Sequence, residues 1–526
     1  MLEAAAKQSR VSDEAQHFAA NPDKNLEARE SCKLSEPESE RLEEALEEAV
    51  RVVSSLLSDV VELNIHHVST FPLHDQIPEE HLSGCYVYPE ADSSRRTVIK
   101  SEGAGLPDTD FLLYIHVQAT DKCRAEPGVL AYAVHCQTDA GGRPVAGVVV
   151  LCRDRLSGAS CSHQATVQTL IHEMFHTLGF SKDLFSSWQD CSPDQGASCS
   201  PRNKVIHSDG SGQTRIYTPA IVSALQRHLM SSDPELGGPL ENLVLRRSKD
   251  ESAGKVSSHW ESRVLQGSIM AAALGNPTTV RIDPVTLAAL QDTGWYSVNL
   301  SRAQSLVWGD GEGAKFGSVS ICKDDSSTFF CSGSGVGCHF LHLHKGKCQT
   351  DPYLEGCRVY KPLETGSECW KKENARWSAE NWSGEMFGSD SRCFFSSLTR
   401  QGGDVWTSSS VEGRCYRHRC SGPNRYQIQV SGSEWVDCPA GGAIQVKGHR
   451  GEVFCPDRRL CLYPDVSPPI DRNSSSGFTT WSTAPAIWLC FGAAVCVLVA
   501  LLVSYWKCRT CVFRSGSVAP EDHSQL

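Results

Sequence analysis

The chain has 526 residues, a formal net charge of −12 and a pI of about 5.9. This length allows two or three domains with a large core, and an acidic chain without a basic run is not expected to bind nucleic acid. The 24 cysteines, which are densest between Cys322 and Cys461, indicate a disulfide-bonded protein of an oxidising compartment.

The N-terminal residues 1–34 are polar, which predicts a disordered or atypical segment. They lack the apolar stretch of a signal peptide, so we interpret the given start as incomplete or alternative. A helix is predicted from Ser35 to Leu63, with a capping box formed by Ser35 and Glu38. Its apolar stripe comprises Leu42, Leu46, Ala49, Val53, Leu56, Leu57 and Val60.

Three short apolar runs follow and predict β-strands: Phe111–Val117, Val129–His135 and Ala146–Leu151. The last two runs flank a turn at Asp139–Pro144. Because helices are predicted on either side of these strands, the pattern indicates a mixed sheet with helices packed on it, which is an α+β fold.

The segment from Val167 to Phe180 carries the pattern H-E-x-x-H at His172, Glu173 and His176. Residues four apart lie on one face of a helix, so both imidazoles can reach one metal ion. Glu173 can then face a water molecule at that metal. The alternative is a buried amphipathic helix whose histidines align by chance. A catalytic zinc site would also need a third protein ligand.

Further helices are predicted at Pro219–Leu229 and Pro284–Thr293, and from Val307 onward the chain becomes rich in Cys, Gly and Ser. The run Cys331–Cys348 mixes cysteines with three histidines: His339, His342 and His344. Such a run is compatible with a second metal site. Cysteines of a secreted, disulfide-dense region pair with each other, however, and we prefer that interpretation.

Residues 485–506 are almost entirely apolar and long enough to span a bilayer. Basic residues such as Lys507 and Arg509 follow directly, so the positive-inside rule places the tail, 507–526, in the cytosol and the preceding chain outside or in the lumen. Residues 465–484 form a Ser/Thr/Pro-rich stalk. We therefore predict a single-pass protein held in the membrane by one C-terminal helix.

Three N-x-S/T sequons are candidate glycosylation sites: Asn299, Asn381 and Asn473. The alternative location is a tail-anchored protein whose bulk is cytosolic. Four of the 24 cysteines lie in or below the predicted membrane helix, which leaves 20 on its other side. An even and large number of cysteines argues against a reducing cytosol.

Four stretches are distinctive when taken together: HEMFHTLGFS at 172–181, SHWESR at 258–263, DTGWY at 292–296 and CPAGGAIQVKGHRGEVFCP at 438–456. They resemble the leishmanolysin family of zinc metallopeptidases, the M8 family of metzincins, and the resemblance covers roughly Ser35 to Leu462. It implies a metzincin-type catalytic domain with a long insertion before the third histidine.

The resemblance also implies where the third ligand lies. Lys182 stands where other metzincins carry that histidine, and the H-W-E stretch supplies His259 instead, 83 residues after His176. Met270, eleven residues after His259, matches the methionine of the tight turn beneath the metal. The methionine is expected to pack under the metal without binding it.

By the same resemblance, one Zn²⁺ ion is expected, with Glu173 as the general base in the hydrolysis of peptide bonds in proteins. The expected zinc ligands are His172, His176 and His259. The expected subdomains are 35–180 with the H-E-x-x-H helix, 181–306 with the third histidine and the Met-turn, and the Cys-rich 307–464.

The chain departs from the family pattern in two regions. Ser231 and Ala314 occupy positions where the family carries cysteines, so one whole disulfide is expected to be absent. No propeptide or first strand is recognised ahead of Ser35, and we interpret Cys32 as a disulfide partner or an orphan cysteine rather than a latency switch. A catalytically inactive adhesion protein with a retained protease fold is the alternative function.

Overall fold

The computed structural model describes residues 34–58, 65–69, 86–87, 97–98, 109–156, 162–191, 199–242, 256–322, 326–377, 382–401, 410–457 and 459–468. All of them belong to one unit that ends at Pro468. Several predictions lie outside these residues: the membrane helix at 485–506, the tail at 507–526, most of the regions 1–34 and 465–484, and the sequons at Asn381 and Asn473. No helix within the described stretches is long and apolar enough to cross a membrane.

Six α-helices and 24 strands occur in the described residues. The helices are α1 (Glu36–Leu56), α2 (Asp121–Ala125), α3 (His163–Leu178), α4 (Pro219–Leu229), α5 (Ser262–Leu265) and α6 (Pro284–Asp292). The strands of the first half are β1 (Leu57–Ser58), β2 (Ile65–Ser69), β3 (Tyr86–Val87), β4 (Thr97–Val98), β5 (Phe111–Gln118), β6 (Ala131–Thr138), β7 (Pro144–Cys152), β8 (Gln189–Asp190), β9 (Ser200–Pro201), β10 (Ile206–Ser208), β11 (Thr214–Ile216), β12 (Gly238–Pro239) and β13 (Ser297–Val298). Those of the Cys-rich region are β14 (Val336–Cys338), β15 (Lys345–Thr350), β16 (Arg358–Pro362), β17 (Ser391–Ser396), β18 (Thr399–Arg400), β19 (Glu412–Gly422), β20 (Arg425–Gln429), β21 (Val436–Pro439), β22 (Ala443–Ile444), β23 (His449–Arg450) and β24 (Val453–Phe454).

Helix α1 begins where its capping residues predict. The Glu38 carboxylate accepts hydrogen bonds from the Ser35 N–H and hydroxyl, both at 2.8 Å. The helix ends at Leu56 rather than at the predicted Leu63, because the next two residues form β1 and pair with β13. The apolar stripe is buried as expected, at Leu42, Leu46, Ala49, Val53, Leu56 and Leu57, whereas Val60 lies outside the described residues.

A four-stranded sheet in the order β2-β5-β7-β6 lies beside α1 and α3. Strands β2, β5 and β7 run parallel, and β6 is antiparallel to β7 at the edge. The predicted mixed sheet is confirmed, with bounds that differ slightly from those of the apolar runs. On one face of β5 and β7, residues such as Leu113 and Val149 join the two helices in the largest buried cluster. Each fully buried aliphatic side chain there contributes about 1.5–3 kcal/mol.

The sheet and α3 approach each other closely at Gly147 of β7. A Cβ atom at this position would lie 2.7 Å from Thr177 Cβ and 2.9 Å from the Phe111 ring. Only glycine allows this approach, which therefore sets the distance of α3 from the sheet. On the opposite face, Leu112 and Val148 belong to a second cluster that includes the disulfide between Cys123 and Cys152.

The Cys-rich region is built on antiparallel strands. Three of them form the sheet β14-β15-β16, and six form the sheet β21-β20-β19-β17-β24-β22. Six of the eight disulfides among the described residues lie here: Cys322–Cys357, Cys331–Cys348, Cys338–Cys393, Cys369–Cys415, Cys420–Cys461 and Cys438–Cys455. The predicted pairing of these cysteines with one another is confirmed. The subdomain boundaries at 180, 306 and 464 stay predictions.

Candidate metal centre

Helix α3 is held firmly at both ends. The Ser162 hydroxyl accepts a hydrogen bond from the Ala165 N–H at 3.2 Å and caps the N-terminus. At the other end Gly179 adopts φ of 150°, where a Cβ atom would lie 3.1 Å from Thr293 Cγ2 and 3.2 Å from the Trp295 ring. A glycine is therefore needed for the chain to leave the helix at this point.

Two histidines of α3 present their rings to one point. His172 and His176 are one helical turn apart, and their Nε2 atoms are separated by 3.1 Å. Glu173 follows His172 in the same helix and is 5% exposed. The buried helix and the aligned histidines are thus both present, so the two interpretations of this segment do not exclude each other.

A short ladder of backbone hydrogen bonds positions the segment that carries the third histidine. The Glu241 N–H donates to the His259 carbonyl at 2.9 Å, and the Glu261 N–H donates to the Pro239 carbonyl at 2.8 Å. Between these bonds, Trp260 is fully buried, with its ring centroid 4.6 Å from that of Phe180. Because the Trp260 side chain is buried in the core, the preceding residue, His259, lies at the edge of the core.

The structure brings the third histidine to the other two. His259 Nε2 lies 3.2 Å from His176 Nε2. One ligand atom from each of His172, His176 and His259 lies within 4.8 Å of the others. The His259 side chain is 29% exposed, whereas His172 is buried, so the shared point is accessible from the His259 side.

Each of these rings has an acceptor on its opposite nitrogen. Nδ1 of His172 donates to the Ile269 carbonyl at 2.5 Å, and Nδ1 of His176 donates to the Phe180 carbonyl at 2.8 Å. Nδ1 of His259 lies 3.3 Å from a Glu241 carboxylate oxygen. Because carbonyl oxygens accept, the protons of His172 and His176 reside on Nδ1 and their Nε2 lone pairs are available to a metal.

Burial favours the neutral form of the most enclosed ring. Loss of solvent lowers the pKa of His172 well below its usual range, and the nearby His176 and His259 rings lower it further. A neutral imidazole is the form that binds a metal. The His172 ring can therefore bind a cation without first losing a proton.

The predicted Met-turn links the two ligand-bearing segments. Met270 is fully buried, its N–H donates to the Ser268 hydroxyl at 3.2 Å, and the Trp260 N–H donates to its carbonyl at 2.9 Å. The Ser268 hydroxyl donates to the Asp283 carboxylate at 2.5 Å. The turn thus contacts His172 through the Ile269 carbonyl and is joined to the His259 segment through Trp260.

The residues next to His259 make structural contacts. Glu261 accepts a hydrogen bond from the Arg263 N–H at 3.1 Å and caps α5, and burial raises its pKa. The Arg263 Nε atom lies 3.4 Å from Glu261 and 3.2 Å from Glu355. These contacts hold the segment that follows His259 in place.

The histidines of the Cys-rich run are engaged elsewhere. His342 Nδ1 donates to the Cys393 carbonyl at 2.6 Å, while His344 contacts the Ser367 hydroxyl at 3.0 Å and the Thr278 hydroxyl at 3.2 Å. Among the described residues the run does not gather three ligand atoms at one point. A second grouping, of His418 with Cys420 and Cys461, contains a disulfide and so offers no thiolate pair.

Two other sequence predictions fall on described residues. Asn299 is exposed, and its side-chain oxygen accepts hydrogen bonds from the Ser301 N–H and hydroxyl of its own sequon. The segments that carry Ser231 and Ala314 are neighbours, because the Gly313 N–H donates to the Leu229 carbonyl at 2.8 Å. That proximity is consistent with one whole disulfide being absent rather than two half-pairs.

Sequence reasoning missed Glu241 and the network of Ser268 and Asp283 beneath the Met-turn. Glu241 precedes His259 by 18 positions, and no spacing rule connects the two residues. The only available signal is chemical: a metal-binding histidine commonly has a carboxylate at its other ring nitrogen, and Glu241 is one of the carboxylates that precede His259. For Asp283, the signal was its N-cap position before Pro284, which predicts a helix start but not the second contact.

Comparison with known sequences places these residues in a family. The profile of peptidase family M8, leishmanolysin, matches residues 52–356 and 350–462. The chain is 49% identical over 488 residues to the ciliated left-right organizer metallopeptidase of Danio rerio, covering 86% of this chain and 76% of that protein. It is 40% identical over 476 residues to the Homo sapiens protein of the same name, covering 76% of this chain and 59% of the relative.

A more distant relative carries the family name. The leishmanolysin-like peptidase of Drosophila melanogaster is 25% identical over 495 residues, covering 73% of this chain and 68% of that protein. The chain spans between 51% and 59% of the length of three relatives, from Xenopus laevis, Mus musculus and Homo sapiens. Since the family profile covers well over half of the chain and the Danio rerio relative is similar along most of its length, the chain belongs to the leishmanolysin family of metallopeptidases, M8.

Proposed function

We propose that this chain is a zinc-dependent metalloendopeptidase of the metzincin type, which hydrolyses peptide bonds within proteins. The observation that carries the proposal is the convergence of the three Nε2 atoms of His172, His176 and His259, with Glu173 beside the first of them. The membership of the family and the word metallopeptidase in the names of its relatives support the same reaction class.

The donor set fits Zn²⁺. Three imidazole nitrogens within 4.8 Å of one another are the ligand number and type of a catalytic zinc site, which keeps a further position for water. The lowered pKa of His172 favours its neutral form, and the Nδ1 hydrogen bonds of His172 and His176 leave their Nε2 atoms to bind the ion. His172, His176 and His259 would hold the ion, and Met270 would lie beneath it.

When bound, a zinc ion supplies Lewis-acid activation of a water molecule and of the scissile carbonyl. Glu173 takes the proton of the attacking water on its carboxylate and delivers it to the amine that leaves. Glu173 is nearly buried, at 5% exposure. The same helix carries Glu173 and two of the proposed ligands, so helical geometry sets the spacing of the base from these ligands.

A substrate peptide can bind in an extended conformation along the sheet. β6 is the last strand in the described order of the sheet and pairs with β7. An extended peptide can bind by adding a strand at the edge of a sheet. We therefore assign substrate binding to β6, which packs against α3.

We further propose that the catalytic region lies outside the cell or in a lumen, held by the membrane helix predicted at 485–506. The eight disulfides support an oxidising compartment. Asn299 is exposed and available to a glycan. When protein from the medium or the cell surface is treated with a glycosidase, the electrophoretic mobility of the wild type should change, and that of Asn299→Gln should change less. An unshifted wild type would argue for a cytosolic location.

Replacing Glu173 is the direct test of the mechanism. Glu173→Ala is expected to lower kcat by about 10²–10⁴-fold, the usual contribution of a general base, while the variant retains one zinc per chain. Hydrolysis of an unfolded protein and metal content by mass spectrometry measure the two effects. Full activity in the variant would contradict the mechanism. A wild type that holds zinc and cleaves nothing would favour the adhesion protein.

A further inference from the structure

Glu241 contacts the one zinc-ligand candidate that does not belong to α3. Its carboxylate oxygen Oε2 lies 3.3 Å from His259 Nδ1, and its side chain is 8% exposed. We propose that Glu241 is a positioning residue, which fixes the tautomer and the rotation of the His259 ring so that Nε2 points at the metal. The inference rests on the proposed function, since it presumes that His259 binds zinc.

His259 needs a restraint that the other ligands already have. His172 and His176 lie on one helix, where their spacing is set by helical geometry. His259 arrives from a separate segment, and the ladder with Glu241 fixes its backbone but not its ring. The Glu241 carboxylate, 3.3 Å from Nδ1, limits that remaining freedom, because an acceptor at Nδ1 favours one tautomer and one ring orientation.

The Glu241 carboxylate is itself fixed by a small cycle of contacts. The Ser257 hydroxyl donates to Glu241 Oε2 at 3.0 Å, and the His259 N–H donates to the Ser257 hydroxyl at 3.1 Å. The Glu241 N–H closes the cycle through the His259 carbonyl at 2.9 Å. Residues 241–242 and 256–257 therefore lie together at His259.

Charge distinguishes this contact from the other two Nδ1 contacts. His172 and His176 donate to backbone carbonyls, which are neutral. Glu241 offers a charged carboxylate oxygen, 3.3 Å from His259 Nδ1. A carboxylate at Nδ1 raises the basicity of Nε2 and so would strengthen its binding of a dication.

Zinc affinity tests the inference without relying on catalysis. Chelator competition should show that Glu241→Ala weakens zinc binding by about 10–100-fold, the usual effect of removing such a partner. Glu241→Gln should weaken it less, because the amide oxygen still accepts from Nδ1. Glu385→Ala is the matched control, since Glu385 is equally buried at 8% exposure and pairs with Lys345 at 3.0 Å. Its zinc affinity should stay within about twofold of the wild type.

The possible results of this experiment can be told apart. If the wild type does not bind zinc, the proposed function is wrong, and not this inference alone. If the wild type binds zinc and Glu241→Ala binds it with the same affinity, the positioning role is wrong and the proposed function stands. Equal losses in the Ala and Gln variants would overturn the orienting hydrogen bond. Circular dichroism verifies folding, and the isosteric Gln variant keeps the test decisive if the Ala variant does not fold.

Discussion

The chain contains two groups of three histidines whose roles differ. The converging triplet comprises His172, His176 and His259, and the divergent triplet comprises His339, His342 and His344. Four of the six, namely His172 and the whole divergent triplet, are buried, and the other two are half-buried. Burial lowers the pKa of His172 in one group and of every member in the other. A lowered pKa therefore does not by itself separate a candidate metal site from a structural contact.

Orientation separates them instead. In the converging triplet, Nδ1 of every ring is occupied by an oxygen acceptor and the Nε2 atoms share one point. In the divergent triplet, the rings of His342 and His344 contact different partners, such as the Cys393 carbonyl and the Thr278 hydroxyl. The first arrangement leaves lone pairs for a cation, and the second uses the rings to join loops of a disulfide-rich region.

The largest expected effect concerns the disulfide beside the divergent triplet. The Cys338–Cys393 disulfide closes a separation of 55 residues, against 8 for Cys191–Cys199. Loop-closure reasoning gives losses of about 4 kcal/mol and about 2.5 kcal/mol in the free energy of unfolding when each pair is changed to alanine. Urea unfolding measures both variants. Equal losses would contradict the entropic account.

The next prediction tests directly whether the two triplets have different roles. His259→Ala removes one of the three proposed ligands and should weaken zinc binding by at least the 10–100-fold expected for losing a partner of a ligand. His344→Gln removes a buried ring that contacts Ser367 and Thr278, so it should cost about 1–3 kcal/mol of stability and leave zinc affinity unchanged. Zinc competition and thermal unfolding on both proteins distinguish the roles. A loss of zinc affinity in His344→Gln would remove the distinction.

Local features of the site were predictable and tertiary ones were not. The helix with His172 and His176 follows from apolar periodicity and ligand spacing, both of which are short-range. His259 was found only through the family resemblance, because 83 residues separate it from His176. The Glu241 contact depends on a backbone ladder between two distant segments, which no pattern of residue types encodes.

The fold shows the same limit. The strands at β5, β6 and β7 were predictable from apolar runs, and the start of α1 from its capping residues. The end of α1 at Leu56 was not, because Leu57 pairs with Val298 far along the chain and tertiary pairing overrides helix propensity there. The partners of the histidines at 342 and 344 were equally unpredictable, since they come from distant segments of the chain.

The smallest expected effect, taken per pH unit, is the change in stability that His344 of the divergent triplet contributes. Burial lowers the pKa of His344 to about 4, against an ordinary value of 6.5, although Glu368 opposes the shift. Between these values the unfolded chain binds a proton that the folded chain does not, so acid favours unfolding. The contribution of His344 is complete above pH 6.5 and is lost as the pH falls toward 4, with a slope of up to about 1.4 kcal/mol per pH unit.

His344→Gln should therefore flatten the pH dependence of stability in that window. Urea unfolding of the metal-free wild type and variant at several pH values between 7.5 and 4.5 gives the two slopes. Because other buried histidines, such as His342 and His418, titrate in both proteins, the difference between the slopes reports His344 together with its effect on the nearby His339. Parallel curves would mean that His344 is protonated equally in the folded and unfolded chains, and that its hydrogen bonds to Ser367 and Thr278 do not exclude the charged ring.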